Sequence, residues 1–275
     1  MKIGTLQNVI EQPLDSLFTT AAKLGFDGVE LDWSDPDWAQ PGGRLAPDNC
    51  PAIRRASAEA GVEIPSVAAH FLSRGGITLE ETEAFGLEIV RTGIRICADL
   101  GARYLLVPFF AAAEIKGIST VSRLVKNLQQ LAPDAEAAGI VLAIEHTMPA
   151  ELTAEVLDNV NSPNVGNYWD MGNSMALGAD PLEEIAHLGP RIARVHAKEY
   201  HQGSDPPGSR YALHFDGLNR RPFGQGDVPV PAVLDALLQV GYDDYIVLET
   251  GKFDHPAGSA QDALNYLRTL TAAQT

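Results

Sequence analysis

Residues Pro190–Tyr200 read PRIARVHAKEY. Ile192, Ala193, Val195 and Ala197 give the stretch the apolar texture of a buried strand, which then breaks into His196, Lys198 and Glu199. A strand that merely stops tends to stop at Gly, Pro, Asn or Asp. Ending a core strand on three ionisable groups is costly in solvation unless a partner or a ligand waits there. The question is which fold brings strand ends to a ligand.

The surrounding chain repeats one grammar: a helical pattern, a glycine, then a short apolar strand. Gly25 precedes FDGVEL, Gly61 precedes VEIPSVAAH and Gly101 precedes ARYLLV; Gly139 precedes IVLAIEH and Gly241 precedes YDDYIVLE. A glycine just past a helix end takes the left-handed cap conformation at low cost. The strands are nearly continuous in Ile, Leu, Val and Ala, as in parallel sheets buried on both faces. Between them the apolar residues follow helical spacing, as in Val121, Leu124, Val125, Leu128, Leu131, Ala132, Ala135 and Ala138. Pro133 falls inside that helix and predicts a kink or break. Eight strands are predicted, near residues 2–6, 27–32, 62–70, 103–107, 140–145, 165–170, 191–197 and 245–249. Eight alternating units without a linker predict an α/β chain, a single (β/α)8 TIM barrel domain over residues 1–275. The open, doubly wound alternative calls for a Gly-rich phosphate loop after the first strand, where the chain reads GTLQNVIEQP.

Composition narrows the function. With 20 Lys+Arg against 36 Asp+Glu the net charge is −16. Such a field repels phosphate backbones and argues against nucleic acid as a partner. Cys50 and Cys97 cannot build a disulfide framework and are expected as free thiols. The opening MKIGTLQNVIEQP lacks a long apolar signal core, and no apolar run reaches membrane-spanning length. A cytoplasmic protein with no membrane partner is expected.

In an α/β barrel the active site lies at the C-terminal ends of the strands. Those ends offer Glu30, His70, Glu145 with His146, Asp170, His196 with Lys198, and Glu249. From the fifth strand onward Glu145, Asp170, His196 and Glu249 fall on four consecutive strands and must converge. Three carboxylates together raise one another's pKa unless a cation joins them. An oxygen-rich set with one imidazole suits one divalent metal ion, Mn²⁺, Mg²⁺ or Co²⁺, with Zn²⁺ also compatible. Taken singly, Asp170 can be a helix cap and Glu249 a residue before a loop; taken together, the four favour a metal. His70 reads as a substrate contact or a core histidine. Glu30 faces the pocket or pairs with a neighbour. Lys198 lies two residues past His196, on the same side of the strand. It can hold a substrate oxygen, or form a salt bridge to Glu30 or Glu199. The loop after the seventh strand, with His201 and His214, is long enough for a lid. It carries Arg210, Arg220 and Arg221, the obvious cations for a phosphate.

WDMGNSMALGADPLEEIAHLGPRIARVHAKEY, PFGQGDVPVPAVLDALLQVGYDDYIVLE and GIVLAIEH resemble the xylose isomerase-like TIM barrels, the sugar phosphate isomerase/epimerase group. The resemblance covers essentially the whole chain. It implies metal ligands Glu145, Asp170, His196 and Glu249, with the two glutamates also acting as the catalytic acid/base pair. Several epimerases of the group carry a substrate-contacting His three residues after the metal Asp; here the position is Asn173. The DNA-repair branch needs further His and Asp ligands that the PFF and DMGN segments lack. The reading is a metal-dependent sugar isomerase or epimerase acting on a small sugar, keto-sugar or sugar phosphate. His70, Asn173, Lys198 and Glu30 are its expected substrate contacts. A homo-oligomer is compatible with it. An inosose-type dehydratase and a non-catalytic sugar-binding barrel are the alternatives.

Overall fold

The computed structural model describes residues 1–202, 217–218, 221–251 and 255–272. Eight parallel strands, β1 (Lys2–Leu6), β2 (Gly28–Asp32), β3 (Ser66–Ala68), β4 (Tyr104–Pro108), β5 (Val141–Glu145), β6 (Val165–Asp170), β7 (Ile192–Ala197) and β8 (Tyr245–Leu248), follow one another in sequence order and close into a barrel. The expected α/β barrel class is therefore observed. Every expected strand overlaps an observed one, although β3 occupies only three of the nine residues expected. Pro65 sits directly before it and has no N–H to donate to a ladder.

Contacts group the chain into two compact units, residues 1–29 with 169–275 and residues 30–168. In the first, β8 pairs with β1 (Thr5 opposite Leu248) and with β7 (His196 opposite Val247). Around these strands lie α1 (Gln7–Ile10), α2 (Leu14–Leu24), α7 (Met171–Ala176), α8 (Pro181–Leu188), α9 (Val230–Gln239) and α10 (Pro256–Ala272). Ile3, Leu17, Val195, Val233, Val247 and Leu267 are fully buried there. The second unit pairs β3, β4 and β5 in series, with Pro108 opposite Glu145. Its helices are α3 (Cys50–Ala60), α4 (Glu83–Leu100), α5 (Ile118–Ala138) and α6 (Ala150–Val160). Val67, Leu105, Leu128, Leu142, Ile144 and Val156 form its fully buried centre.

Helices α2 to α5 end where the sequence placed their caps, on Gly25, Gly61, Gly101 and Gly139 in the left-handed conformation. The break expected at Pro133 is absent: α5 continues through it to Ala138. The helix forgoes one backbone hydrogen bond, but Leu128, Leu131, Ala132 and Ala135 bury a continuous face on both sides of the proline. Cys50 and Cys97 are free and buried, as expected. Among the described residues no helix is long and apolar enough to cross a membrane.

The outer helices α4 and α5 are linked by charge. Glu83 accepts from Lys126 Nζ at 2.7 Å and from Arg123, whose other nitrogen reaches Glu80 at 3.2 Å. Hydrogen bonds from Lys126 and Arg123 hold the Glu83 carboxyl down at about 2. A carboxylate whose folded-state pKa is depressed stabilises the fold fully above its unfolded value. That stabilisation is lost as pH falls toward about 2. Glu83→Gln should therefore cost about 1 kcal/mol at pH 7, the scale of a partly exposed ion-pair cluster. Thermal melts of the two proteins should converge as pH drops from about 5 toward 2. Melts that differ equally at both ends of that range would remove the ion pairs from the explanation.

Candidate metal centre

His196 is the fifth residue of β7 and is completely buried. On the neighbouring strand the Glu249 N–H donates to Ala197 O at 3.0 Å, which carries the parallel pairing one residue past β8. Glu249 is thereby set level with Lys198, two residues past the Val247 that faces His196, and its side chain reaches back so that His196 Nδ1 lies 3.0 Å from Glu249 Oε2. Asp170 ends β6 and divides its two oxygens between two tasks. Oδ1 accepts the Asn173 N–H at 2.7 Å and caps α7, the ordinary reading of an aspartate at a helix start. Oδ2 lies 4.0 Å from His196 Nδ1 and 2.9 Å from Lys198 Nζ. Glu145 ends β5; its backbone oxygen accepts the Phe109 N–H at 2.7 Å and its side chain is buried. One ligand atom from each of Glu145, Asp170, His196 and Glu249 lies within 4.8 Å of all the others.

Three carboxylates and one imidazole at that spacing fit a divalent cation by donor chemistry: hard oxygens in the majority, with one nitrogen. The electrostatics of the cluster already favour ionised carboxylates. Burial pushes the Glu249 carboxyl up, but the Lys198 ammonium and His196 outweigh it and hold the group well below the usual carboxylate range.

Lys198 joins the same cluster. Its Nζ lies 2.8 Å from Glu249 Oε2 and 2.9 Å from Asp170 Oδ2, and 3.5 Å from the Asn173 side-chain oxygen. The salt bridge weighed for it to Glu30 or Glu199 is thus made to Asp170 and Glu249 instead. Its stem runs over Gly172, where a Cβ would stand 3.0 Å from Lys198 Cβ and Cγ and 2.9 Å from its carbonyl oxygen. Glu199 points elsewhere. Its carboxylate accepts backbone N–H groups of Tyr200 (3.0 Å), Gly224 (2.7 Å) and Val228 (3.2 Å). Burial raises its pKa, and these backbone bonds oppose the rise only in part. Gly226 is required there, because a Cβ would come within 2.3 Å of Glu199 Oε1. The stretch PFGQGDV is in this way fastened to the residue that follows Lys198.

The remaining expected residues are placed as follows. Glu30, expected at the end of its strand, is instead the third residue of β2. It is fully buried and accepts from Ser66 Oγ at 2.5 Å and Tyr168 Oη at 2.7 Å. The end of β2 is Asp32, which the sequence reading missed. Two-residue alternation puts Asp32 on the same face as Glu30, and that was the available signal. Asp32 Oδ1 meets His70 Nδ1 at 2.8 Å. Burial raises the Asp32 carboxyl, yet hydrogen bonds to His70 and Ser34, with the charges of His70 and Arg44, bring it below the usual range. His146 is half-buried, accepts the Met148 N–H at 3.1 Å and is taken down to about 4 by burial, so its ring is neutral at pH 7. Asn173 is buried in α7 beside Lys198. Arg221 is exposed, while Arg210, Arg220 and His214 lie outside the described residues.

Comparison with known proteins agrees with the barrel fold. Residues 18–270 match the family model described as xylose isomerase-like TIM barrel. The 2-epi-5-epi-valiolone 7-phosphate 2-epimerase of Actinoplanes sp. is 29% identical over 182 residues, covering 65% of this chain and 65% of its own length. The L-ribulose-5-phosphate 3-epimerase UlaE of Salmonella paratyphi A is 26% identical over 263 residues, 92% of this chain and 88% of its own. Among solved structures, a xylose isomerase domain protein from Planctomyces limnophilus superposes with TM-score 0.79 at 19% identity, covering 98% of this chain and 96% of its own. An L-ribulose 3-epimerase does so with TM-score 0.77 at 19% identity, covering 99% and 95%. At such identities the structural likeness speaks for the fold.

The clamp at Glu199 makes a prediction separate from any ligand. Glu199→Ala leaves three backbone donors without their acceptor, at about 1–3 kcal/mol for each that stays dry. Hydrogen exchange at the amides of Tyr200, Gly224 and Val228 should accelerate by ten-fold or more, while β4 and β5 amides keep their protection. Unchanged exchange at those three amides would mean that the carboxylate does not fasten the segment.

Proposed function

Since the chain belongs to the xylose isomerase-like TIM barrel family, we propose that it is a divalent-metal-dependent sugar epimerase or isomerase. It moves a proton at the carbon next to a carbonyl of a small sugar, keto-sugar or sugar phosphate. The observation that carries the reading is the convergence of Glu145, Asp170, His196 and Glu249. A pure binding barrel has no use for two converging glutamates beside an imidazole and an ammonium. The two curated relatives above are named epimerases, which favours this chemistry over dehydration.

Glu145, Asp170, His196 and Glu249 would hold the ion, with Mn²⁺, Mg²⁺ or Co²⁺ best suited and Zn²⁺ compatible. Bound there, a divalent ion supplies Lewis acidity toward a carbonyl oxygen and its neighbouring hydroxyl. The protein's own groups do the rest. Glu249, held ionised by Lys198 and His196, is the base that accepts the C–H proton. In an epimerisation Glu145 delivers a proton to the opposite face, and the two glutamates have then exchanged roles. Lys198 and Asn173 lie next to this base and would donate to substrate oxygens. His70, oriented by Asp32, and Glu30 would complete the substrate contacts.

The decisive experiment incubates the metal-loaded protein with a panel of ketoses and ketose phosphates in D₂O. Deuterium should enter the carbon next to the carbonyl of at least one member, and the epimer or isomer should appear. A full panel without exchange sinks the proposal. With the substrate in hand, Glu249→Gln should lower turnover by about two orders of magnitude or more, the scale of losing a general base. Near wild-type turnover in Glu249→Gln and Glu145→Gln alike would leave the glutamates as ligands only. Independently of substrate, Glu145→Ala, Asp170→Ala and His196→Ala should each abolish the rise in melting temperature that Mn²⁺ gives the wild type.

A further inference from the structure

Lys198 is more than a neighbour of the metal-binding group. Its ammonium touches Asp170 Oδ2 at 2.9 Å and Glu249 Oε2 at 2.8 Å. Those same two oxygens face His196 Nδ1, at 4.0 and 3.0 Å. The ammonium is therefore applied to the oxygens turned toward His196; the other oxygen of Asp170 is already engaged by the Asn173 N–H. Nor is this a surface lysine that has folded inward. Its side chain is 9% exposed, its stem lies along Gly172, and the following residue is fastened by three backbone hydrogen bonds. The DMGN run supplies the ligand, the space for the stem and the amide oxygen beside Nζ within four consecutive residues.

We propose that Lys198 is a built-in counter-cation for the Asp170–Glu249 pair, and that a divalent ion reaches these two oxygens in competition with its ammonium. The proposal rests on the metal-site reading above. An ammonium and a divalent cation on one pair of oxygens repel each other, and more strongly in a buried cluster than in water. Binding of the ion must loosen or displace the lysine's contacts, so the four ligands bind more weakly than they would without it. In return the lysine, bridging the two oxygens, holds the carboxylates together when the ion leaves. A site built in this way takes its metal reversibly and exchanges one divalent ion for another.

The test is calorimetric titration of the metal-stripped full chain with Mn²⁺, for wild type and Lys198→Met, beside thermal melts in chelator. Lys198→Met should bind Mn²⁺ at least ten-fold more tightly than wild type. In chelator it should melt below wild type, and saturating Mn²⁺ should close or reverse that gap. Equal or weaker Mn²⁺ binding by the variant overturns the proposal, because the lysine would then be supporting the ligands. If Lys198→Met does not fold, Lys198→Gln, neutral but still a hydrogen-bond donor, takes its place: tighter Mn²⁺ binding supports the competition, and equal or weaker binding overturns it. Failure of the wild type itself to bind Mn²⁺, Co²⁺, Mg²⁺ or Zn²⁺ overturns the metal-site reading, and the competition with it. That result is distinct from a wild type that binds and a variant that binds no better.

Discussion

Like charges brought together out of water must find a cation, and the far end of this barrel is organised around that constraint. Asp170, at the end of β6, and Glu249, just past β8, are pulled onto one ammonium that follows β7, with His196 of β7 beside both. Each group alone would be costly to bury. Lys198 and His196 outweigh burial at Glu249, whose carboxyl is held well below the usual range. The same arrangement sets oxygens and one imidazole at the spacing of a metal-ligand set, while the ion pairs that keep Glu249 ionised lower its intrinsic basicity.

Residue type does not decide role here; surroundings do. Glu199, buried, and Glu249, half-buried, are glutamates within the same unit. Glu199 is surrounded by backbone N–H groups, and burial still leaves its pKa raised. It works as a fastener for PFGQGDV. Glu249 faces two cationic side chains and its pKa falls. Asp170 splits the difference within one side chain, with one oxygen capping α7 and the other turned to Lys198. Capping is commonly the structural alternative to a functional reading of an aspartate, and at this position both hold at once.

The barrel and the four-residue convergence were legible because both follow from periodicities. Strand alternation and the βα repeat fix which residues stand at consecutive strand ends, and Glu145, Asp170, His196 and Glu249 all lie at ends or one residue beside them. Illegible were features set by strand length and by partner choice. Glu30 looked terminal because it is the first ionisable residue after the apolar run of its strand, yet β2 runs on to Asp32. The helix through Pro133 depends on how much apolar face lies beyond the proline, a tertiary quantity. The partner of Lys198 could not be chosen among four nearby carboxylates, since alternation gives the side of a strand but not the reach of a long side chain.

The question raised by PRIARVHAKEY, why a core strand carries ionisable groups, is answered by its neighbour. Alternation sends Arg194, His196 and Lys198 to one side of β7. Arg194, 1% exposed, meets Asp244 at 2.9 Å, just before β8 begins; His196 and Lys198 meet Glu249 just after it ends. β7 is thus flanked on β8 by an anion at each end, with Val247 opposite His196 and the uncharged run Tyr245–Leu248 between. A one-residue slip of β7 on β8 would turn all three cations to the other face, and a two-residue slip would part both ends from their anions. The apolar residues of β8 would tolerate either slip; the charges at its ends would not. The residues that look out of place in a buried strand therefore fix its register, and in fixing it they put His196, Lys198 and Glu249 within reach of one another.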